Sequence, residues 1–246
     1  MENPQKYIKE GDFLKRTKSL ERYFYAVDYE KKIKSKLTKK QFSVYTYLLS
    51  KSMWDAQTKE QHYYVYKNSF TISEAAAKLK ISRPTWRSAI EKLKKENFIS
   101  EQDKWYEIYF PRDFAPLHRS LISFLLDFSV ELNGGNLVGV YATLYKYWYY
   151  CQDNDVPCCI SINQLLHLFE TRHDNVSGRY YEIALAIFES QGLMIIQHNN
   201  KKFNGGQYIE YEIKSVNTQL PKNLADTNYG PDDVKEIVEA LETSVE

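Results

Sequence analysis

The fold is decided by the stretch FTISEAAAKLKISRPTWRSAIEKLKKENFIS, residues 70–100. Thr71 is predicted to cap a short helix, because Glu74 stands three residues later and completes a capping box. A turn follows at residues 80–82, and Ser82 caps a second helix with proline in its first turn, where the missing N–H costs nothing. Two short helices joined by a tight turn are typical of the helix-turn-helix motif.

The second of these helices is predicted to be amphipathic. Its apolar face, at helical spacing, consists of Trp86, Ala89, Ile90 and Leu93. Its opposite face is polar and basic, which suits the major groove of duplex DNA. The DNA-binding residues predicted on this helix and in the hairpin after it are Arg83, Pro84, Thr85, Arg87, Ser88, Lys92, Lys95 and Lys104. The arginines, Thr85 and Ser88 are expected to read base edges, and the lysines to contact phosphates.

A β-hairpin is predicted directly after this helix, from residues 98–100, a polar turn and residues 105–110. A helix-turn-helix followed by such a hairpin resembles the winged-helix module. The runs SRPTWRSAI (82–90) and KENFI (95–99) are similar to the recognition helix of bacterial winged-helix regulators such as the GntR family. That resemblance implies DNA binding, with the alternative that the helices only pack or dock another protein.

Bulk composition is typical of a soluble globular protein. The 246 residues are 43% hydrophobic and 15% aromatic, which suffices for a sizeable core in one or two domains. No run approaches the roughly 20 apolar residues that span a bilayer, and residues 1–6 lack the apolar region of a signal peptide. Three cysteines make no disulfide framework, so a cytoplasmic protein is expected. No membrane partner is expected, because no apolar run is long enough.

Charge is distributed unevenly along the chain. Residues 1–120 contain 25 Lys and Arg against 15 Asp and Glu, a balance of +10. The balance is −4 over residues 121–220 and −5 over residues 221–246, so the net charge of +1 conceals a basic half. A basic half that carries the recognition helix is expected of a phosphate-contacting surface.

The N-terminal part divides into two predicted regions. Residues 1–36 form a basic leader, with a strand at 23–29 and a lysine cluster at 31–40 that is either an arm along DNA or a solvated linker. Residues 37–112 form the first winged-helix domain, which opens with a helix from residue 37. Within it, residues 55–69 are a tyrosine-rich insertion of uncertain form.

A linker helix is predicted over residues 113–135. Apolar side chains recur every three or four residues, at Leu117, Leu121, Leu125, Phe128 and Leu132. An Asn-Gly-Gly sequence ends the pattern. The stripe suits either a spine between two domains or a homodimer interface, and its spacing leaves both open.

The pattern of the first domain recurs after residue 135. VYATLY (140–145) resembles VYTYLL (44–49), INQLLHLF (162–169) aligns with ISEAAAKL (72–79), and LAIFESQGLM (185–194) aligns with IEKLKKENFI (90–99). A turn at 201–206 and the run YIEYEI (208–213) supply a second hairpin. A repeat of a whole module predicts a second winged-helix domain at residues 136–220, and therefore an α+β fold with two such domains in tandem, joined by a long helix.

Two such modules on a long helix resemble the tandem winged-helix class of plasmid and phage replication initiators. The resemblance covers about residues 37–216 and rests on this architecture and on residues 37–49, 106–110 and 141–145. It implies binding to origin repeats, recruitment of host replication proteins and repression of the chain's own promoter by a homodimer. In that class the second module makes the more specific DNA contacts.

The second module departs from that class because it is acidic. Its predicted DNA-binding residues are Arg172, Asn175, Ser177, Arg179, Lys201 and Lys202. On charge, residues 1–120 are expected to carry the specific binding. The second module then either adds contacts through Arg179 and its lysine-bearing hairpin or binds protein.

No catalytic constellation and no cofactor site is predicted. The histidines include no pair two residues apart for a rolling-circle nuclease, and no glycine-rich phosphate loop is present. Cys151, Cys158, Cys159 and His167 are potential zinc ligands, but they lack a Cys-x-x-Cys spacing, so buried thiols are favoured. The tyrosines, such as those at 145–150, are expected to pack cores rather than to stack on unpaired bases.

The acidic tail, residues 221–246, is predicted to contain a short amphipathic helix after Pro231. Its apolar side consists of Val234, Ile237, Val238, Leu241 and Val245. The helix either folds back on the body, in particular the basic half, or docks a partner.

Together these patterns predict a sequence-specific double-stranded-DNA-binding protein, with a replication initiator favoured over a transcriptional regulator or a protein-binding adaptor.

Overall fold

The computed structural model describes residues 24–27, 37–55, 62–109, 115–132, 136–169, 178–203, 206–225 and 231–244. These ranges contain nine α-helices, one short 3-10 helix at Lys67–Ser69 and nine strands, so the fold is α+β as predicted. The elements in chain order are β1 Phe24–Val27, α1 Lys39–Lys51, β2 Met53–Asp55, β3 His62–Tyr66, α2 Ile72–Lys78, α3 Arg83–Lys95, β4 Ile99–Glu101, β5 Trp105–Ile108, β6 Ala115–His118, α4 Arg119–Glu131, α5 Leu137–Asp153, β7 Cys159–Ser161, α6 Ile162–Phe169, α7 Gly178–Ser190, β8 Met194–Phe203, β9 Gly206–Val216, α8 Lys222–Ala225 and α9 Pro231–Ser244.

Local capping determines where the first three helices begin. Thr38 starts α1 and Thr71 starts α2, each through a reciprocal capping box with the residue three positions later. Ser82 caps α3, where its hydroxyl accepts from the backbone N–H of Thr85 at 3.2 Å. The predicted starts of α2 and α3 are therefore confirmed.

The first half contains a four-stranded antiparallel sheet in the order β2–β3–β5–β4. The predicted hairpin is present as β4 and β5, which pair from Ile99 opposite Ile108 to Glu101 opposite Tyr106. The region left uncertain, residues 55–69, supplies β3, which pairs with β5 along four residues. Its partner lies about forty residues away in the chain, which is why periodicity alone gave no strand.

The linker helix is shorter than predicted. Residues 115–118 form β6, which pairs antiparallel with β1, and α4 begins only at Arg119. Pro116 explains part of the difference, because proline lacks the N–H that a helix interior requires. The strand β1 itself falls within the predicted 23–29 segment, whereas the lysines at 31–36 lie outside the described residues.

The second half contains a three-stranded antiparallel sheet in the order β7–β9–β8. The hairpin β8–β9 extends the full length of its strands, from Met194 opposite Val216 to Phe203 opposite Gly206. Helices α5, α6 and α7 fall where the repeat of the first-half pattern places them. The elements of the predicted second module are therefore present, although its turn between α6 and α7 lies outside the described residues.

A single hydrophobic core runs through both halves. Helix α4 contacts α1 of the first half and α5 of the second, and its whole apolar stripe is buried, from Leu121 to Leu132. Asn136 adds a bond across the halves, since its Nδ2 donates to the Ser43 hydroxyl at 3.1 Å. The stripe is thus a spine within the chain, and its buried side chains are not available as a homodimer interface.

The tail helix α9 folds back on the body. It contacts α4 and α7, with Val234 and Val238 buried and Ile237 and Leu241 packed against the core. Its docking site therefore combines the spine with the second half, rather than the basic half alone. Among the described residues, no helix is long and apolar enough to cross a membrane.

Candidate nucleic-acid interface

The orientation of α3 is fixed by its buried face. Trp86 is 1% exposed, and its ring makes edge-on contacts with Tyr47 of α1 and with Phe70, both at 5.6 Å between ring centroids. Ala89, Ile90 and Leu93 continue this face into the core. Because this face of α3 is buried, the opposite face is turned towards solvent.

The outward face of α3 carries most of the predicted DNA-binding residues. Those exposed on the helix are Arg83, Pro84, Arg87, Ser88 and Lys95. Thr85 and Lys92 are half-buried at the margins of this face, and the Thr85 hydroxyl shares a 2.8 Å hydrogen bond with that of Ser82. Because the helix N-terminus also carries partial positive charge, this face favours an anionic ligand.

The cations of this face differ in their ion pairing. Lys92 is paired with Glu96 at 2.7 Å on the same helix. In contrast, Arg83, Arg87 and Lys95 have no acidic partner in the part of the chain that the structure describes. Glu91 also lies on this exposed face, but Lys94 pairs with it at 3.0 Å. The unpaired cations therefore dominate the outward surface.

A charged cluster joins α3 to the β4–β5 hairpin. Glu101 accepts from Lys94 at 2.7 Å and from Lys67 at 2.9 Å. These two ammonium groups lower the pKa of the Glu101 carboxyl below its ordinary value, chiefly through the Lys94 hydrogen bond. The cluster holds the hairpin against the helix, and exposed Lys104 lies in the turn of that hairpin.

Two further ion pairs orient the helix pair on the spine. Lys78 contacts Asp127 of α4 at 2.8 Å, and Lys80 contacts Glu131 at 2.7 Å. Lys80 also has a positive φ of 49°, which the tight turn between α2 and α3 requires. Such exposed pairs contribute little stability, so their main effect is on orientation.

The equivalent helix of the second half, α7, does not present a polar face. Only Arg179, Glu189 and Ser190 are exposed along it, and the remaining side chains pack into the core or lie half-buried. The tail helix α9 covers one side of α7, which is apolar. An apolar, covered helix is unlike the outward face of α3 and does not suit contact with base edges.

The DNA-binding residues predicted in the second half are scattered. The Nη2 atom of Arg179 donates to the backbone oxygen of Glu242 in α9 at 2.6 Å, so its guanidinium is engaged by the acidic tail. Lys201 pairs with Glu210 across the hairpin at 3.5 Å, while Lys202 is exposed beside it. Arg172, Asn175 and Ser177 lie outside the described residues.

The cysteines form a thiol cluster between α5 and β7. Cys151 and Cys158 are buried, and Cys159 is partly buried. Burial, more than the neighbouring Cys151, raises the pKa of the Cys158 thiol well above its ordinary value. In the described part of the chain, no three His, Cys, Asp or Glu side chains are placed so that they could hold a metal ion, and His167 is exposed on α6.

Sequence reasoning missed the tyrosines that β3 places on the sheet. Tyr64 and Tyr66 fall on its outward face, while Tyr63 and Val65 are buried. The signal in the sequence was composition rather than periodicity, because HYYVY at 62–66 is rich in the aromatic and β-branched residues that favour strands.

No protein-family model, curated protein or solved structure matches the chain.

Proposed function

We propose that this chain is a sequence-specific double-stranded-DNA-binding protein that inserts α3 into the major groove. The observation that carries the proposal is the outward face of α3, where Arg83, Arg87 and Ser88 are exposed together and the arginines have no acidic partner among the described residues. Arginine at such a position donates two hydrogen bonds to guanine, and serine reads several bases.

The surroundings of α3 support a winged-helix arrangement of this surface. The short helix α2 precedes it across a tight turn, and the β4–β5 hairpin follows it, held by Glu101. In this arrangement the recognition helix reads bases while the hairpin contacts the backbone, with Lys104 at its turn. The charge balance of +10 over residues 1–120 also favours contact with DNA phosphates by this half of the chain.

The repeat of helices and hairpin in the second half supports the biological role of a replication initiator that binds origin repeats. A transcriptional regulator would use the same surface of α3. The DNA beside the coding sequence discriminates the two roles, because direct repeats favour an initiator and an inverted repeat at the promoter favours a repressor.

The test of DNA binding is a selection of bound duplexes from a random-sequence library with the full chain, followed by footprinting. We expect one motif to be enriched and protected against cleavage at moderate salt. If the recovered duplexes share no motif and the chain protects none of them, sequence-specific DNA binding is wrong for this protein.

A further inference from the structure

The outward face of the first sheet carries a row of aromatic side chains. Strand alternation directs Tyr63, Val65, Tyr106 and Ile108 into the core. The opposite face therefore presents Tyr64 and Tyr66 from β3 and Trp105 from β5, and Tyr109 follows β5 in the same alternation. Tyr66 and Tyr109 are 43% and 41% exposed.

These rings form one continuous surface. Tyr66 stands opposite Trp105 in the strand register, and Tyr64 is one row further along. The ring centroid of Trp105 lies 6.3 Å from those of both tyrosines, with the planes nearly perpendicular. Met53 of the edge strand β2, 51% exposed, stands opposite Tyr64 and extends the surface.

The aromatic character of this surface is unusual for its place in the fold. The solvent face of an antiparallel sheet is normally polar, because only the other face is packed. Here the other face is packed, while Tyr66, Tyr109 and Met53 on this face remain at least 41% exposed. A contiguous exposed patch of this kind marks a binding surface.

The chemistry of the patch favours nucleobases as its ligand. Its members are mostly flat rings rather than branched aliphatic side chains, and flat rings stack on bases whatever their sequence. Lys104, exposed and without an ion pair in the described part of the chain, directly precedes Trp105 and provides a cation for phosphate.

The position of the patch agrees with a strand that leaves the proposed duplex site. Lys104 lies in the turn of the β4–β5 hairpin, which the proposed duplex contact also uses, and Trp105 begins the strand that crosses the patch. The net charge of +10 on residues 1–120 suits a polyanion better than a neutral protein surface.

We propose that the outward face of this sheet binds single-stranded DNA by stacking unpaired bases on Tyr66 and Trp105. The inference rests on the proposed function for the location of DNA beside the hairpin. It goes beyond that function, because a duplex offers no unstacked bases, so a second class of DNA ligand is bound by the sheet rather than by α3.

The test compares two ligands and a set of matched variants of the full chain. The ligands are a fluorescent oligothymidine of about 12 nucleotides, within the range that single-strand sites occupy, and a selected duplex. Trp105→Leu removes the ring and leaves a smaller apolar side chain, and Trp105→Phe restores a ring. Tyr66→Ala removes an exposed ring, and Tyr208→Ala removes an equally exposed one, 41%, from the other sheet.

We expect Trp105→Leu and Tyr66→Ala each to weaken oligothymidine binding about tenfold, as the loss of one stacked base does, with duplex affinity unchanged. Trp105→Phe should recover most of the loss, and Tyr208→Ala should have no effect. Unchanged oligothymidine affinity in Trp105→Leu and Tyr66→Ala, or a wild-type chain that binds only duplex, would overturn the inference. A chain that binds oligothymidine with this variant pattern but no duplex would support it and refute the proposed duplex function instead.

Discussion

At the scale of single residues, three lysines that the sequence assigns the same role differ in their exposure and ion pairing. Lys92, Lys95 and Lys104 all belong to the predicted phosphate-contacting set. The structure pairs Lys92 with Glu96, whereas the other two are exposed without a described partner. Phosphate contact by Lys92 therefore competes with an existing partner, and that of Lys95 and Lys104 does not.

This difference predicts distinct salt dependences of duplex binding. Lys95→Ala and Lys104→Ala should each flatten the slope of log affinity against log salt by about 0.9, because each removes one phosphate contact. Lys92→Ala is the matched control, and we expect a smaller change of slope. Binding titrations at several salt concentrations measure this slope for each variant. Slopes unaffected by all three substitutions would mean that this face does not contact DNA phosphates.

His118 predicts a pH dependence of stability. It caps α4, where its Nδ1 atom accepts from the Ser120 backbone N–H at 3.2 Å and therefore must be unprotonated. Burial, and then the charge of Arg119, lower its pKa below 6.5 in the folded chain. The unfolded chain thus binds the proton more readily, and stability falls as pH decreases from about 6.5 through the lowered folded value.

The variant His118→Asn isolates this effect, because asparagine caps a helix without titrating. Urea unfolding of both proteins between neutral and mildly acidic pH should show the wild type losing stability relative to the variant. If the difference in unfolding free energy between the two proteins stayed constant across that pH range, His118 would not contribute to the pH dependence of stability.

At the scale of elements, local signals were read correctly from the sequence and distant pairings were not. The starts of α2 and α3 follow from Thr71 and Ser82, whose partners lie within three residues. The strands β3 and β6 depend on partners tens of residues away, so periodicity in a short window could not identify them. The same limit applies to the candidate site, where the exposed face of α3 was predictable and the cover that α9 places on α7 was not.

The docking of α9 predicts a stability effect in the second half. Val238 is 4% exposed against the body, whereas Glu239 beside it faces solvent. Val238→Ala should cost about 1–2 kcal/mol of unfolding free energy through lost burial. Glu239→Ala is the control and should stay within about 0.5 kcal/mol of wild type. Urea unfolding measures both, and equal values would mean that α9 is not held as described.

At the scale of the whole molecule, the shared core changes how the division of labour between the halves can be tested. A fragment that ends at residue 120 retains α1 but loses nearly all of α4, whose Leu121 and Leu125 are fully buried. We expect that fragment to lack a cooperative thermal transition, since its core is incomplete. A cooperative transition together with specific DNA binding would show instead that residues 1–120 are an independent domain.

Substitutions in the full chain therefore test the central claim, that α3 reads the bases of duplex DNA. The direct measurement compares the variants Arg83→Ala, Arg87→Ala and Arg179→Ala. For each variant, the affinity is measured for a selected duplex and for a scrambled duplex. Arg179 is the matched control, an exposed arginine in the first turn of α7 that bonds to the tail. We predict that each α3 substitution costs about 1–3 kcal/mol on the selected duplex and much less on the scrambled one, with Arg179→Ala neutral on both. Equal losses on the two duplexes, or a loss for Arg179→Ala as large as for the α3 arginines, would contradict the claim.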